Sequence, residues 1–206
     1  MGDVLGSILT PMDLKDDPFV KAWMQYQKPK MGERSIGTVR AEVTLDVSAY
    51  EAAVHHFSFG REQIRKSLEN GTISKFVVRQ ASDNDLVVAQ VKQLPFPFRN
   101  REFVERNILA GAEEGGIIAV YEPLPDEIVD HGEFFTTIRG SARGYLEFTP
   151  LGTRQCKFCL HQRVDAGGNV PTWLINAKAP LALRWVTEIR KIFARDEEID
   201  AEERQA

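Results

Sequence analysis

The stretch VDAGGNVPTWLINAKAPLALRWVTEIRKIF, residues 164–193, decides the fold, because it joins the end of a strand pattern to a long apolar helix through two glycines and a proline. After Pro180 the residues Ala182, Trp185, Val186, Ile189, Ile192 and Phe193 recur at spacings of three and four, with Arg184, Glu188, Arg190 and Lys191 on the opposite face. That is one amphipathic stripe. A helix that buries two tryptophans, Trp173 and Trp185, must lie against something wide, either a packed core or a hollow one. Pro171 suits a helix start, whereas Pro180 has no N–H to donate and clashes with the preceding turn, so an interruption near Ala179 is expected.

Working back along the chain, TVRAEVTLDV alternates without a break, placing Val39, Ala41, Val43, Leu45 and Val47 on one side of a half-buried strand. SAYEAAVHHF opens with Ser48 and Glu51 at capping-box spacing, and REQIRKSLENG closes on Asn70 and Gly71, so two short helices follow. Before the strand, DDPFVKAWMQY presents Asp17 as an N-cap, Pro18 at the first helical position, and Phe19, Val20, Trp23 and Met24 on one face, which predicts another helix. Between the short helices and the terminal one, strands are predicted at 73–80, 86–93, 102–109, 116–121, 133–139, 144–148 and 155–164. Turn signals such as SDND, PFPFRN, GAEEGG, PLPDE and PLGT separate them. Helix, strand, two helices, a long antiparallel meander and a final helix make an α+β pattern, in which a curved sheet and one long helix can enclose a lumen.

The 206 residues, 43% hydrophobic and 27% charged, suit one domain with a substantial core. A net charge of -4 provides no general field for nucleic acid. Two cysteines make no disulfide framework, and no apolar run reaches the roughly 20 residues of a spanning helix. With no basic-flanked apolar leader evident, a reducing cytoplasmic setting is expected.

Three partial motifs, in order, carry a resemblance. RNREFVERN, with Arg101, Glu102, Phe103 and Val104, resembles the Arg-Asp-Phe-Val stretch of the START family, the StAR-related lipid-transfer domains. VDAGGNVPTWLIN is similar to that family's passage into its final helix, with Asp165, Gly168, Pro171, Trp173, Leu174 and Asn176 in the recurring places. IRGSARGYLEFTPLG and VRAEVTLDVSAYEAAVHHF resemble its paired strands and its early strand-to-helix segment, so the likeness spans about residues 37–193. Glu102 stands where the family has Asp, and the family's Trp-Asp pair is absent from SFGREQIRKSLENG.

The resemblance implies a helix-grip fold of the Bet v 1-like superfamily: a curved antiparallel sheet around the C-terminal helix, enclosing a hydrophobic cavity. It divides the chain into an N-terminal helix and lead-in at 1–36, a lipid-binding domain at 37–195 and an acidic tail at 196–206. It further implies one lipid of the sterol, phospholipid or sphingolipid class, held in a tunnel and carried or presented between membranes by a monomer. The expected lining is Arg101, Phe103, Tyr121, Phe148, Phe158, Leu160, Leu174, Trp185 and Ile189. Arg101 is the expected polar contact, because a buried guanidinium must find a carboxylate or a ligand oxygen. In LPFPFRN the prolines cannot continue a sheet ladder, so Leu94, Phe96 and Phe98 are expected on a loop that meets a membrane surface transiently.

Other chemistry is weakly signalled. Cys156 and Cys159 lie three apart in a strand pattern and point to opposite faces. His55 and His56 are adjacent on a helix, which is not metal-ligand spacing, and His131 and His161 are isolated in sequence. No cofactor or metal is implied. An alternative from another class is a helix-grip enzyme of the cyclase or hydrolase type, which needs a poised acid, base or nucleophile such as Tyr121, Tyr145 and His161 converging in the lumen. A lipid-sensing regulatory module is the other alternative.

Overall fold

A computed structural model describes residues 9–12, 17–25, 36–69, 71–131 and 137–203. Two short strands, β1 (Thr10–Met12) and β2 (Lys21–Gln25), precede β3 (Ile36–Leu45). Helices α1 (Ala49–Phe57) and α2 (Arg61–Glu69) follow. Then come β4 (Thr72–Ser82), β5 (Asp85–Lys92), β6 (Asn100–Gly111), β7 (Ile117–Pro123), β8 (Thr137–Arg139), β9 (Ser141–Gly152) and β10 (Gln155–Asp165). The chain closes with α3 (Thr172–Phe193) and α4 (Asp196–Glu203). All described strands join one curved sheet in the order β1-β2-β3-β10-β9-β7-β6-β5-β4, with β8 beside β6.

Period-two alternation assigns the faces. On β3, Val39, Ala41, Val43 and Leu45 are buried, and they meet Phe158 and Leu160 of β10 across an unbroken antiparallel register. The next strand, β9, adds Leu146 and Phe148 to this inner face, and α3 covers it with Leu183, Val186 and Ile189. The outward row runs Trp23, Arg40, His161, Tyr145 across β2, β3, β10 and β9. Further along the sheet, the outer face of β5 and β6 is covered by the segment after β7, where Leu124 and Val129 pack against Val87, Ala89 and Val104.

Four expectations are corrected. The segment after Asp17 is a turn followed by strand β2, not a helix; Asp17 Oδ1 accepts the Phe19 N–H at 3.0 Å, and Val20, Ala22 and Met24 are buried at alternate positions. Pairing with β3 outweighs the helical spacing of the apolar residues. Helix α3 is a single helix through Pro180, with no interruption at Ala179. Its two tryptophans are not both buried: Trp185 is half-buried, but Trp173 is 63% exposed. The meander is not wholly antiparallel, because β8 runs parallel to β6. Of the strand expected at 133–139, residues 133–136 lie outside the described residues, as does Asn70; Gly71, at φ 78, ends α2 in the left-handed conformation its position after the helix suggested. Ser48 caps α1 as its spacing predicted, accepting from Glu51 N at 3.2 Å and donating to Glu51 Oε2 at 2.6 Å.

Two polar ties hold α3 in place. At its far end Arg190 reaches Asp17 at 3.6 Å and Asp196 at 3.1 Å, and its guanidinium lies over Phe19. At its near end the connection from β10 turns through Gly167 and Gly168, both at positive φ, with the Gly167 N–H donating to Asp165 Oδ1 at 2.8 Å. That turn aims two carbonyls at β6: Arg101 donates to Ala166 O at 2.5 Å and Gly167 O at 3.3 Å, and also to Arg99 O. The buried guanidinium thus finds backbone carbonyls in place of the expected carboxylate or ligand. Charged hydrogen bonds are each worth roughly 1.5–3 kcal/mol, so Arg101→Leu is expected to lower stability by about 2–4 kcal/mol in denaturant unfolding, the carbonyls being left without donors. Occupancy of the cavity beneath the other end of α3 is expected to be unchanged in the folded fraction.

Candidate functional site

Among the described residues, a larger and a smaller cavity lie under α3. The larger, about 580 Å³, is bounded by α1 and α2 at one side, by β4 to β7 as a floor, and by Arg184, Trp185, Glu188, Ile189 and Ile192 of α3 as a roof. The smaller, about 130 Å³, sits toward the helix start between Met24, Val39, Leu94, Val164, Leu174 and Ile175. Along α3 the linings stop at Lys178 and resume at Arg184, roughly 9 Å of rise apart. Between them Leu183 and Val186 pack directly on the sheet core.

The expected lining residues are divided by this arrangement. Tyr121, Trp185 and Ile189 line the large cavity, and Leu174 lines the small one. Phe103, Phe148, Phe158 and Leu160 belong to the packed core, where the Phe148 and Phe158 rings sit 5.1 Å apart and Phe158 meets Trp185 at 5.6 Å. Arg101 lines neither cavity. On the loop after β5, Phe96 is 97% exposed, Phe98 is half-buried, and Leu94 turns inward to the small cavity.

The large cavity is not the apolar lumen expected. Its roof and one wall are apolar through Phe59, Val88, Leu146, Trp185, Ile189 and Ile192, yet polar side chains outnumber them. The inward positions of neighbouring strands supply the polar floor: Gln90 and Lys92 from β5, Glu105 and Asn107 from β6, Tyr121 from β7 and Lys75 from β4. Register places Lys75 opposite Gln90, Val88 opposite Glu105, and Asn107 opposite Tyr121. Lys92 Nζ donates to Thr72 Oγ1 at 2.5 Å, and Lys75 Nζ to Ser67 Oγ at 3.5 Å while lying 5.1 Å from the Phe59 ring. Glu105 Oε1 and the Tyr121 hydroxyl are buried with no hydrogen-bond partner among the described residues.

Burial governs how these groups ionise. It pushes the Glu105 carboxyl up to about 7 against the opposing pull of Lys75 and Lys92. It pulls Lys92 down to about 8, with Lys75 adding repulsion and Glu105 opposing, and it lowers Lys75. The His56 imidazole, against Trp185 at 5.2 Å, is held neutral at about 3 by burial and by the neighbouring Lys75 and His55 charges. Tyr121 is raised well above its ordinary range by burial and by the Glu105 charge.

The constellation an enzyme alternative calls for does not assemble. Tyr121 faces inward, opposite Gly144, where a Cβ would sit 2.6 Å from its hydroxyl; Tyr145 and His161 stack on the outer face, with centroids 5.3 Å apart. His131, isolated in sequence, is on the outer side too: its Nε2 is 2.7 Å from Glu102 Oε1, whose other oxygen accepts from Arg139 at 3.0 Å. Cys156 is buried and Cys159 half-buried, both unpaired, as opposite faces of one strand require. Among the described residues no cluster of three His, Cys, Asp or Glu could hold a metal.

Glu105 makes stability depend on pH. Because its folded pKa of about 7 exceeds the ordinary 4.5, its contribution is fully present below about 4.5 and is lost as pH rises through 7. Glu105→Gln is therefore expected to be more stable than the wild type at pH 8, by on the order of 2–3 kcal/mol, and equal to it near pH 4.5. Urea unfolding of both proteins across that window measures the difference.

No family model and no curated protein matches the sequence. Solved structures match the fold. Human STARD10 superposes with a TM-score of 0.67 at 17% identity, covering 97% of this chain and 78% of that one. The STAR-related lipid transfer protein from Xanthomonas axonopodis gives 0.67 at 18% identity, over 90% and 98% of the two chains, and human StAR-related lipid transfer protein 5 gives 0.66 at 14%, over 93% and 88%. With its large curved sheet gripping a terminal helix, this chain has the helix-grip α+β fold of the StAR-related lipid-transfer domains.

Proposed function

We propose that the chain binds one lipid-like amphiphile in the cavity beneath the C-terminal half of α3 and exchanges it with a membrane surface without chemically altering it. The observation that carries this reading is the cavity itself: about 580 Å³ lies within the usual range for a site that takes a single small molecule, and its apolar roof faces a polar floor. Support also comes from the solved structures described as lipid transfer proteins, which share the fold. Whether the cargo is carried or only sensed does not alter the binding step.

Docking is assigned to the end of the molecule where the loop after β5 and the start of α3 come together. Leu94 and Leu174 line the same small cavity, and next to them Phe96 and Trp173 expose large apolar surfaces. Exposed aromatic side chains gain by burial in a headgroup region. Phe98 differs: its N–H donates to Pro95 O at 3.0 Å and the residue is half-buried, so Phe96 and Trp173 form the inserting pair. No described helix is long and apolar enough to cross a membrane, which is consistent with attachment through side chains at this end.

Native mass spectrometry is expected to show one small amphiphile per chain, and Asn107→Trp, which fills the cavity from β6, is expected to reduce occupancy while costing about 1–3 kcal/mol of stability or less. A fully occupied Asn107→Trp variant places the ligand elsewhere. A Phe burial is worth roughly 1.5–3 kcal/mol, so Phe96→Ser is expected to weaken vesicle binding by about tenfold or more, leaving binding of a short-chain soluble lipid intact. Unchanged vesicle affinity in sedimentation assays assigns the loop a structural role only.

A further inference from the structure

We propose that the cavity selects an amphiphile bearing a single negative charge, a carboxylate in particular, which is held by Lys75, Lys92 and Tyr121 on the cavity floor. The proposal rests on the reading of the cavity as a lipid site and adds the chemistry of the head group.

The charge balance of the lining is the first argument. Four cationic side chains, Lys66, Lys75, Lys92 and Arg184, face the cavity with three carboxylates, Glu69, Glu105 and Glu188. Glu69 and Arg184 are exposed, and Lys66 and Glu188 half-buried, so these four sit toward solvent, where charges are screened. Deeper in, two lysines share one carboxylate. His56 adds no charge there, being neutral, so the floor is left one positive charge in excess. A monoanion balances it, whereas a neutral alcohol leaves the excess in place, an amine enlarges it, and a dianionic phosphate reverses it.

The second argument is the supply of donors. Each lysine ammonium carries three protons, and one oxygen partner is assigned to each, Thr72 Oγ1 for Lys92 and Ser67 Oγ for Lys75. The Tyr121 hydroxyl, buried and without a partner among the described residues, is a further donor on the same floor. A carboxylate offers about four lone-pair positions, enough to accept from more than one of these donors. Glu105 is also unpartnered at Oε1, so the site is not already closed by an internal ion pair.

The third argument is geometry along the ligand. The apolar side chains of Trp185, Ile189 and Ile192 on α3, and of Phe59 in the connection between α1 and α2, face this floor, so a chain or ring system attached to the carboxylate packs under α3 while the head group points at the sheet. The lysine stems add methylene surface to the same wall.

The test uses four dodecyl probes that differ only at the head, dodecanoate, dodecanol, dodecylamine and dodecyl phosphate, each titrated below its micelle concentration by displacement of a bound fluorescent probe. The wild type is expected to bind dodecanoate at least about tenfold more tightly than dodecanol, with the amine weakest and the phosphate below the carboxylate. Paired Lys75→Met and Lys92→Met changes are expected to erase the preference for dodecanoate while dodecanol binding persists, which also shows that the variant is folded. Should that variant fail to fold, Glu105→Gln serves in its place and is expected to tighten dodecanoate and leave dodecanol unchanged. Equal affinities for dodecanoate and dodecanol overturn the head-group proposal and leave the lipid site standing. Preference for the phosphate overturns the single-charge assignment, and failure of every probe to bind overturns the lipid site as well.

Discussion

One long helix cannot cover a sheet this wide. Strands are spaced about 4.8 Å apart, so the path from β1 to β4 is roughly 38 Å broad, while a helix with its side chains is about 10–12 Å across. Helix α3 seals the β3, β10 and β9 region through Leu183, Val186 and Ile189. What remains, the inner face of β4 to β7, is roofed only at its edges by α1, α2 and the end of α3. A compact protein fills such a gap with large apolar side chains. Here the inward positions of β5 and β6 carry Gln90, Lys92, Glu105 and Asn107, and the gap persists as the 580 Å³ cavity.

That choice of residues is costly, which is informative. A buried carboxylate without partners destabilises by several kcal/mol, and two buried ammoniums repel each other. Lys75 and Lys92 temper Glu105 without closing an ion pair on its Oε1. Polar groups left in this condition concentrate at sites where something else completes them. The outer face of the same strand shows the contrasting arrangement: Glu102 is bonded through both oxygens, to His131 and Arg139, and Arg139 in turn donates to Leu124 O and Glu127 O.

The legible part of the sequence was the part where one periodicity ruled. Alternation in TVRAEVTLDV marked β3 correctly, the Ser48 and Glu51 pair marked α1, and the order of strands after Gly71 followed the turn signals. DPFVKAW was misread because its apolar residues fit either period, and only the partner strand β3 decides between them. The lysine and glutamate floor was missed for a related reason. In DLVVAQVK both faces of the strand are apolar over most of its length, so alternation alone does not tell which face Gln90 and Lys92 take; their phase with the buried Val88 was the available signal. Arg101 was singled out through the resemblance, as a cation in need of a carboxylate or a ligand oxygen. Nothing in the motif shows the two backbone carbonyls, 65 residues and more away, that the glycine turn before α3 directs at it.

Two of the motifs that carried the resemblance meet at that turn. Arg101 from β6 and the Asp165 to Gly168 turn are the halves of one joint, which fixes where α3 begins. Downstream the helix passes over both cavities, and Pro180 lies between the residues that line the small one and those that roof the large one. Proline has no N–H, so the α3 ladder lacks the hydrogen bond that position 180 makes in any other helix. The least supported point of α3 is therefore flanked by two well-tied ends, Arg101 at the start and the Arg190 contacts with Asp17 and Asp196 at the finish.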